Sequence, residues 1–275
     1  MCRLKEINMQ SHGQYEKANK AYWSNRASGY SNVNRNELDS GQHQRWAGTL
    51  NAYIERRYPD RSHDEIAVLD IGTGPGFFAI ILAELGYRVT AVDYTESMLE
   101  KARINAGRWY DRIQFRKMNA EELDFEAASF DVIVTRNLTW NLPNPEKAYG
   151  EWTRVLKPGG LLLNFDANWY NYLYHEEARE GYLRDRENIR KSGVANENEA
   201  DGTDIPAMEA IAYKAPLSAL RRPGWDEKVL NGMDMDVRTD TDIWKIVWTR
   251  EEKINNASTP MFLVQAVKRQ VSCGL

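Results

Sequence analysis

A glycine-rich stretch between two apolar runs carries the clearest chemical signal in the sequence. It reads DIGTGPG over residues 70–76. Glycines let the backbone approach a ligand closely and adopt turns that other residues avoid. The start of a following helix adds free N–H groups and a positive dipole end. A ligand bound at this turn would therefore meet Asp70, Gly72, Thr73, Gly74 and Gly76.

The elements around this turn alternate between strands and helices. Short apolar runs predict strands at 66–71, 87–93, 113–118, 130–135, 161–165 and 260–267. Segments with helical spacing of apolar residues predict helices at 37–57, 77–85, 96–106 and 145–155. This alternation predicts a doubly wound α/β fold whose sheet is mostly parallel.

Polar residues follow several of the predicted strands. Gly72, Asp93, Asn119, Asn137 and Asp166 each stand where a strand ends. Parallel strands present their carboxyl ends at one edge of the sheet, and open α/β sheets bind ligands at that edge. The sequence therefore predicts one binding site there.

The glycine spacing separates two classes of cofactor. Dinucleotide enzymes use G-x-G-x-x-G, but Phe77 stands where that pattern needs its third glycine. The spacing here is G-x-G-x-G, with Asp70 two positions before the first glycine. It resembles motif I of the class I S-adenosylmethionine-dependent methyltransferases. The resemblance implies a seven-stranded Rossmann-like sheet, an N-terminal helical lid and a helical insertion after the fifth strand.

The same resemblance implies how the cofactor, S-adenosyl-L-methionine, and its product, S-adenosyl-L-homocysteine, would be held. Asp93 matches the acidic residue that binds both ribose hydroxyls in the family, and Tyr94 and Met98 would flank the adenine. Further cofactor contacts are implied by the family's adenine loop, the loop under the sulfonium and the N-terminal lid: Asn119, Ala120, Glu121, Asn137 and Tyr22. Asn119 departs from the family's usual aspartate, which weakens the implied adenine contact.

Plainer readings of these residues stay open at this point. Asp93 could cap the helix that follows it, and Asp70 could be a structural loop carboxylate. Glu121 could begin a solvated helix. His175 could be solvated on a charged helix. The aromatic residues after the fifth strand could form the core of the insertion.

The acceptor is expected to be a small molecule. The fourth strand is followed by Asn137-Leu138-Thr139-Trp140, which lacks the Asn/Asp-Pro-Pro-aromatic pattern typical of amino-methylation of adenine or glutamine. The chain's two cysteines, Cys2 and Cys273, stand at its ends, so no mid-chain cysteine nucleophile exists. No metal site is predicted, and no catalytic residue is assigned, because methyl transfer mainly requires positioning. Substrate contacts are expected from Trp23, Tyr30, Trp140, Asp166, Asn168, Trp169, Tyr170 and His175.

The composition of the chain restricts which classes of partner and which location are expected. The chain has 275 residues and a net charge of −4, which disfavours a general nucleic-acid partner; Arg221-Arg222 with Lys228 is the only basic hint. No apolar run is long enough to span a membrane, and the N-terminus lacks an apolar signal region, so a cytoplasmic location is expected. A homodimer through the insertion stays open.

The expected organisation has three parts. Residues 1–60 form an N-terminal helical lid, 61–167 with 259–270 form the Rossmann-like core, and 168–258 form an insertion over the substrate. Within it, 193–206 is an acidic loop or lid. The predicted function is methyl transfer from S-adenosylmethionine to a small molecule. Two alternatives are a cofactor-binding sensor or activator without turnover, and an RNA or protein methyltransferase.

Overall fold

Seven strands form one sheet at the centre of the protein. The structure is a computed structural model that describes residues 2–200 and 202–270, with side chains from residue 13 onward. The strand order is β3-β2-β1-β4-β5-β7-β6. The bounds are β1 Ala67–Ile71, β2 Arg88–Asp93, β3 Ile113–Lys117, β4 Phe130–Arg136, β5 Leu156–Asp166, β6 Met235–Asp240 and β7 Phe262–Lys268.

Ten α-helices surround this sheet within the described residues. Their bounds are α1 Cys2–Leu38, α2 Gly41–Arg57, α3 Phe77–Glu84, α4 Glu96–Ala106, α5 Pro145–Val155, α6 Glu176–Ser192, α7 Ile205–Ala212, α8 Gly224–Asn231, α9 Trp244–Val247 and α10 Arg250–Asn255. The segment predicted as one helix over 37–57 is divided at Ser40. Its side chain accepts a hydrogen bond from the backbone N–H of Gln42 and so caps α2.

The sheet is covered on both faces. Strands β1 to β5 pair in parallel, while β7 is antiparallel to both β5 and β6. Successive residues of a strand point to opposite faces, and accordingly Val68 packs in one apolar cluster and Leu69 in another. Trp46 of α2 lies in the first cluster, and Trp152 of α5 lies in the second. The predicted doubly wound, mostly parallel, seven-stranded sheet is confirmed.

One boundary needs correction. Strand β6 lies inside 168–258, the range expected to form only a helical insertion, yet it pairs with β7 from Met235↔Lys268 to Asp240↔Leu263. Sequence reasoning missed it because Met235, Val237 and Thr239 alternate with charged residues on an edge strand. Residues 235–240 therefore belong to the core sheet.

Cys273 lies outside the described residues, and so does the side chain of Cys2. Over residues 2–200 and 202–270, no helix is both long and apolar enough to cross a membrane. The same residues contain no group of three or more His, Cys, Asp or Glu side chains arranged to hold a metal ion.

Candidate active site

A cavity of about 1100 Å³ lies at the carboxyl edge of the sheet, bounded by the glycine turn, the end of β2, the loop after β4 and helix α1. We call it the glycine-turn cavity. Twelve of the sequence-predicted site residues line it: Trp23, Tyr30, Asp70, Gly72, Thr73, Gly74, Asp93, Tyr94, Met98, Asn119, Ala120 and Asn137. They come from five separate stretches of sequence, 23–30, 70–74, 93–98, 119–120 and 137, which the fold brings together.

The glycine turn is held by its own polar groups. Thr73 Oγ1 donates to Asp70 Oδ2 at 2.6 Å. Gly72 has a φ of +68°, and a Cβ there would stand 2.8 Å from Leu138 side-chain carbons. Gly76 caps α3 with a φ of +94°, and its Cβ would stand 3.2 Å from the Cβ of Ala102. Gly76 does not line the cavity; it allows α3 to pack closely against α4.

Asp93 joins the turn to the end of β2. Its Oδ2 accepts from the backbone N–H of Gly74 at 2.9 Å. Its Oδ1 accepts from both the N–H and the Oγ1 of Thr95, each at 2.9 Å. Asp93 thus binds Thr95, the N-cap residue of α4, and does not cap the helix itself; it also lines the cavity. Burial raises the pKa of this carboxyl above its usual value.

Asp70 is the second carboxylate of the cavity wall, and it is 2% exposed. Burial raises its pKa to about 7, even though Thr73 donates to it. An ionised form at this position would be stabilised by a cationic group in the cavity, because an opposite charge nearby favours the charged form of a carboxyl. Asp70 and Asp93 make this end of the cavity suitable for donor-rich or cationic ligand groups.

Sequence reasoning missed a buried ion pair in the same wall. Both Arg136 terminal nitrogens donate to Glu37 of α1, at 2.9 Å each. Burial opposes the charge on Arg136, but Glu37 outweighs it and raises the pKa of the guanidinium. The pair fixes α1 to the end of β4. No local pattern identifies it, because the partners lie 99 residues apart.

The loop after β4 separates the glycine-turn cavity from a second one. Asn137 adopts a φ of +55°, a region that Asn tolerates better than most residues. Its backbone N–H donates to Phe165 O at 2.8 Å, and its carbonyl accepts from Trp140 Nε1 at 3.0 Å. The side-chain Oδ1 of Asn137 is buried and has no hydrogen-bond partner.

Helix α1 roofs the glycine-turn cavity. Tyr15 Oη donates to Asn141 O at 2.7 Å, and Asn19 Nδ2 donates to the same carbonyl at 3.2 Å. Other cavity-lining side chains from α1 that sequence reasoning missed are Glu16, Asn19, Lys20 and Asn34. Their spacing with Trp23 and Tyr30 approximates one face of a helix, a signal that the polar composition of α1 obscured.

The second cavity, which we call the aromatic cavity, measures about 780 Å³. It shares Trp23, Tyr30 and Asn137 with the glycine-turn cavity, so the two lie side by side. Of the predicted substrate residues, Trp140, Trp169 and Tyr170 also line it. The residues that sequence reasoning missed come mostly from α6 and the segments that pack on it: Tyr172, Tyr182, Asp185, Arg186, Asn198, Ile205, Asn255, Asn256 and Thr259.

Two predicted cofactor contacts lie elsewhere. Tyr22 lines a separate groove between α1 and α7. Glu121 is 2% exposed and accepts from the backbone N–H and the Nδ2 of Asn144, at 2.6 and 2.8 Å. It therefore holds the start of α5, and it is neither a solvated residue nor a wall of either cavity. These corrections follow from contacts between segments far apart in sequence.

Three predicted substrate contacts also lie outside both cavities. Asp166 is buried behind the loop, where its Oδ2 accepts from the backbone N–H of Trp140 at 2.9 Å. Asn168 binds the backbone of Arg222, accepting from its N–H at 3.1 Å and donating to its carbonyl at 2.9 Å. His175 precedes α6, and its Nε2 lies 2.9 Å from Ala219 O. All three organise the structure around the aromatic cavity.

Arg222 connects the insertion to the sheet edge. It donates to Asp166 Oδ2 at 2.5 Å and to both carboxylate oxygens of Asp226 at 2.7 and 2.8 Å. All three side chains are 1% exposed or less. Burial opposes the charge on Arg222, but Asp226 and Asp166 outweigh it and raise its pKa. The basic hint at Arg221-Arg222 therefore does not form a surface stripe, because Arg222 is buried and paired.

The sequence of the chain is similar to those of known methyltransferases. Residues 69–164 match the family model described as "Methyltransferase domain". The chain is 36% identical over 129 residues to a demethylmenaquinone methyltransferase of Leptospira interrogans, covering 45% of this chain and 50% of that protein. It is 33% identical over 109 residues to a ubiquinone biosynthesis O-methyltransferase of Coxiella burnetii, covering 39% of this chain and 47% of that protein. The chain thus spans about half the length of the curated relatives it matches.

The fold extends over more of the chain than the sequence similarity does. The plantazolicin methyltransferase BpumL, solved in complex with SAH and a triazolic desmethylPZN analog, superposes with a TM-score of 0.60 at 13% identity. That match covers 96% of this chain and 99% of the other. At this identity the likeness shows the fold alone. Residues 69–164 match the methyltransferase-domain model, in agreement with the resemblance inferred from the glycine turn.

Proposed function

We propose that this methyltransferase-domain protein transfers a methyl group from S-adenosylmethionine to a small molecule. One observation carries the proposal: the glycine-turn cavity and the aromatic cavity share Trp23, Tyr30 and Asn137. A methyl donor in the first cavity and an acceptor in the second would meet at this common wall. Transfer by in-line displacement requires such a side-by-side arrangement.

The residues of the glycine-turn cavity fit the proposed cofactor. S-adenosylmethionine carries an ammonium group, a ribose diol and a flat purine. Asp70 and Asp93 supply the acceptors that an ammonium and a diol need. Met98 is a polarisable side chain suited to a flat ring, and Tyr94 adds an aromatic face. Gly74 has a φ of +53°, a conformation that glycine adopts more readily than other residues.

The chain's own residues would position the reactants and exclude water. When bound, the cofactor supplies an activated methyl group on a sulfonium, so the protein need not activate it. Helix α1 covers the cavity through the Tyr15 and Asn19 bonds to Asn141. Asn137 stands at the common wall with a free Oδ1 that can accept a hydrogen bond from an acceptor's O–H or N–H. We keep Asn137 as a positioning residue and assign no general base.

The relatives support a small-molecule acceptor. The two named above are a demethylmenaquinone methyltransferase and a ubiquinone biosynthesis O-methyltransferase, and both names refer to small-molecule quinones. We also propose that 168–258, apart from β6, forms the cover of this cavity, since Trp169, Tyr182 and Asn255 in its wall belong to that range.

Turnover with methyl-tritiated S-adenosylmethionine tests the proposal. The protein is incubated with a pool of small metabolites, and separately with total RNA and total protein. We expect label in the small-molecule fraction, with one S-adenosylhomocysteine formed per methyl transferred. Asp93→Ala should lose this activity, whereas Asp236→Ala, an exposed site on β6, should retain it. Label confined to RNA or protein would contradict the proposed acceptor class, and binding without turnover would favour the sensor alternative.

A further inference from the structure

The wall of the aromatic cavity contains a ladder of rings. Trp140 and Tyr170 have centroids 5.0 Å apart, Tyr170 and Tyr172 5.8 Å, and Tyr172 and Tyr182 4.1 Å with planes only 11° apart. Aromatic faces in this arrangement favour a flat partner ring. The aromatic side chains of this wall therefore suit a ligand with a flat ring.

The ladder ends at a guanidinium. Arg186 stands over the Tyr182 ring, with its Cζ 5.1 Å from the centroid. Its terminal nitrogens donate to neutral acceptors, Asn196 Oδ1 at 2.9 Å and Asn255 O at 2.5 Å. Among the described residues it makes no ion pair within 4.0 Å, unlike Arg136 and Arg222. Arg186 therefore brings to the cavity wall a positive charge that no salt bridge neutralises.

Buried donors without partners belong to the same wall. Trp23 Nε1, Trp169 Nε1 and Arg186 Nε are all buried and make no hydrogen bond, and all three residues line the cavity. Buried donors normally have acceptors, and an unmade bond is costly. A ligand bearing oxygen atoms would supply the hydrogen-bond acceptors that these donors lack.

The acidic groups nearby are less available than Arg186. Asp185 also lines the cavity, but its Oδ2 already accepts from the N–H and the Oγ of Ser258, at 2.9 and 2.6 Å. Glu197 lies near Arg186, and its Oε2 accepts from Asn256 Nδ2 at 2.9 Å. Burial raises the pKa of Glu197 to about 7, so it is only partly ionised at neutral pH. The hydrogen bonds direct Asp185 toward Ser258, whereas Arg186 is a cavity-lining cation without an ion-pair partner among the described residues.

We infer that the aromatic cavity binds a flat, ring-bearing molecule that carries an anionic oxygen group, with Arg186 as the counter-charge. That this molecule is the methyl acceptor rests on the proposed function. The ring would pack along the ladder, and its anionic group would meet Arg186. The acceptor oxygens of that group would also suit the indole N–H groups of Trp23 and Trp169.

Three probes that share the indole ring system but differ in charge test the inference: indole-3-acetate, indole-3-acetamide and tryptamine. Their affinities are measured by titration calorimetry on the full chain, with and without saturating S-adenosylhomocysteine. We expect indole-3-acetate to bind most tightly, by about tenfold or more over the amide, because hydrogen bonds to charged groups are the stronger ones. Equal affinities for acetate and amide, or tightest binding of tryptamine, would overturn it.

Two arginine variants test whether Arg186 is the residue that binds the anionic group. Arg186→Met should weaken indole-3-acetate by about tenfold or more and leave the amide nearly unchanged. Arg190→Met, one turn further along α6 and exposed, should change neither. Because Arg186 also holds the 193–198 loop, Trp169→Phe provides a second variant, which removes the indole N–H donor and part of the ring system but keeps an aromatic side chain. It should weaken the acetate several-fold, whereas Trp109→Phe, outside both cavities, should not.

The outcomes also separate this inference from the proposed function. Indole-3-acetate binding that depends on Arg186, in a protein that does not bind S-adenosylhomocysteine, would support the ligand class and contradict methyl transfer. S-adenosylhomocysteine binding without a preference for the acetate would support the proposed function and overturn the ligand class. Equal losses in Arg186→Met and Arg190→Met would overturn it as well.

Discussion

The backbone N–H of Gly74 donates to Asp93 Oδ2 at 2.9 Å, so the glycine turn after β1 is tied directly to the end of β2. The other oxygen of the same carboxylate accepts from the N–H and the hydroxyl of Thr95, the N-cap residue of α4. One side chain thus sets the distance between the two loops that form the floor of the glycine-turn cavity.

Replacing Asp93 should therefore affect stability even without a ligand. Asp93→Ala leaves the Gly74 N–H and both Thr95 donors without their acceptor. We expect the free energy of unfolding to fall by about 1–2 kcal/mol, the usual cost of losing a helix cap or a buried hydrogen bond. Urea denaturation measures it, with Asp236→Ala as the exposed control. A loss no greater than that of the control would contradict the structural role of Asp93.

The glycine turn should not tolerate a side chain at its first glycine. Gly72→Ala places a Cβ 2.8 Å from Leu138 and keeps a φ of +68° that alanine disfavours. We expect a loss of more than about 1 kcal/mol in stability. Gly48→Ala is the matched control, since a Cβ there meets nothing within 4 Å and the residue lies inside α2. It should stabilise the protein by about 0.5–1 kcal/mol. Similar effects of both substitutions in thermal unfolding would contradict this account.

The buried Arg222 pairs should be costly to break. Arg222→Met leaves Asp166 and Asp226 buried without their cation, a change that typically costs about 3–5 kcal/mol. Adding Asp166→Asn and Asp226→Asn should recover part of that loss in denaturant titrations. Arg269→Met, which removes an exposed pair with Asp236, should change stability far less. A small effect of Arg222→Met alone would show that the pairs do not hold the insertion in place.

Asp70 should make stability depend on pH in a defined direction. Its pKa is about 7 in the folded chain, against 3.8 for an unperturbed aspartate. Between these values the folded state binds more protons than the unfolded state, so stability falls as pH rises through this window. The contribution reaches about 1.4 kcal/mol per pH unit. Asp70→Asn should flatten the slope of unfolding free energy against pH across the same window. An unchanged slope would contradict the assigned shift.

Ligand binding should show the opposite trend at the same residue. A ligand ammonium beside Asp70 favours the ionised carboxylate. Under the proposed function, the affinity for S-adenosylhomocysteine should therefore weaken as pH falls below about 7, by up to about tenfold per unit. Calorimetry across a series of buffers on either side of neutral pH measures the trend, and Asp70→Asn should abolish it. A pH-independent affinity in the wild type would remove Asp70 from the cofactor contacts.

Local patterns allowed much of the fold to be predicted. The buried runs of β1, β2, β4 and β5 are apolar on both faces, so composition alone identifies them. Strand β6 was missed because it is an edge strand with only alternate residues facing the core. The glycine turn and Asp93 were found because their chemistry is local to a strand end.

Residues defined by distant partners could not be predicted in the same way. The role of Glu121 depends on Asn144, that of Asp166 on Arg222, and both partners lie in other elements. The sequence does not distinguish Arg186 from the other charged residues of α6, because its contact with aromatic side chains depends on the fold. Sequence identifies which residues can bind; the fold decides which of them reach a cavity.

Titration calorimetry of S-adenosylmethionine and S-adenosylhomocysteine into the wild type and Asp93→Ala tests the central claim most directly. We expect both ligands to bind the wild type with one site per chain, and the variant to lose at least about tenfold in affinity while it remains folded by circular dichroism. No heat of binding at millimolar ligand, in a protein that is folded, would contradict the assignment of the glycine-turn cavity to this cofactor.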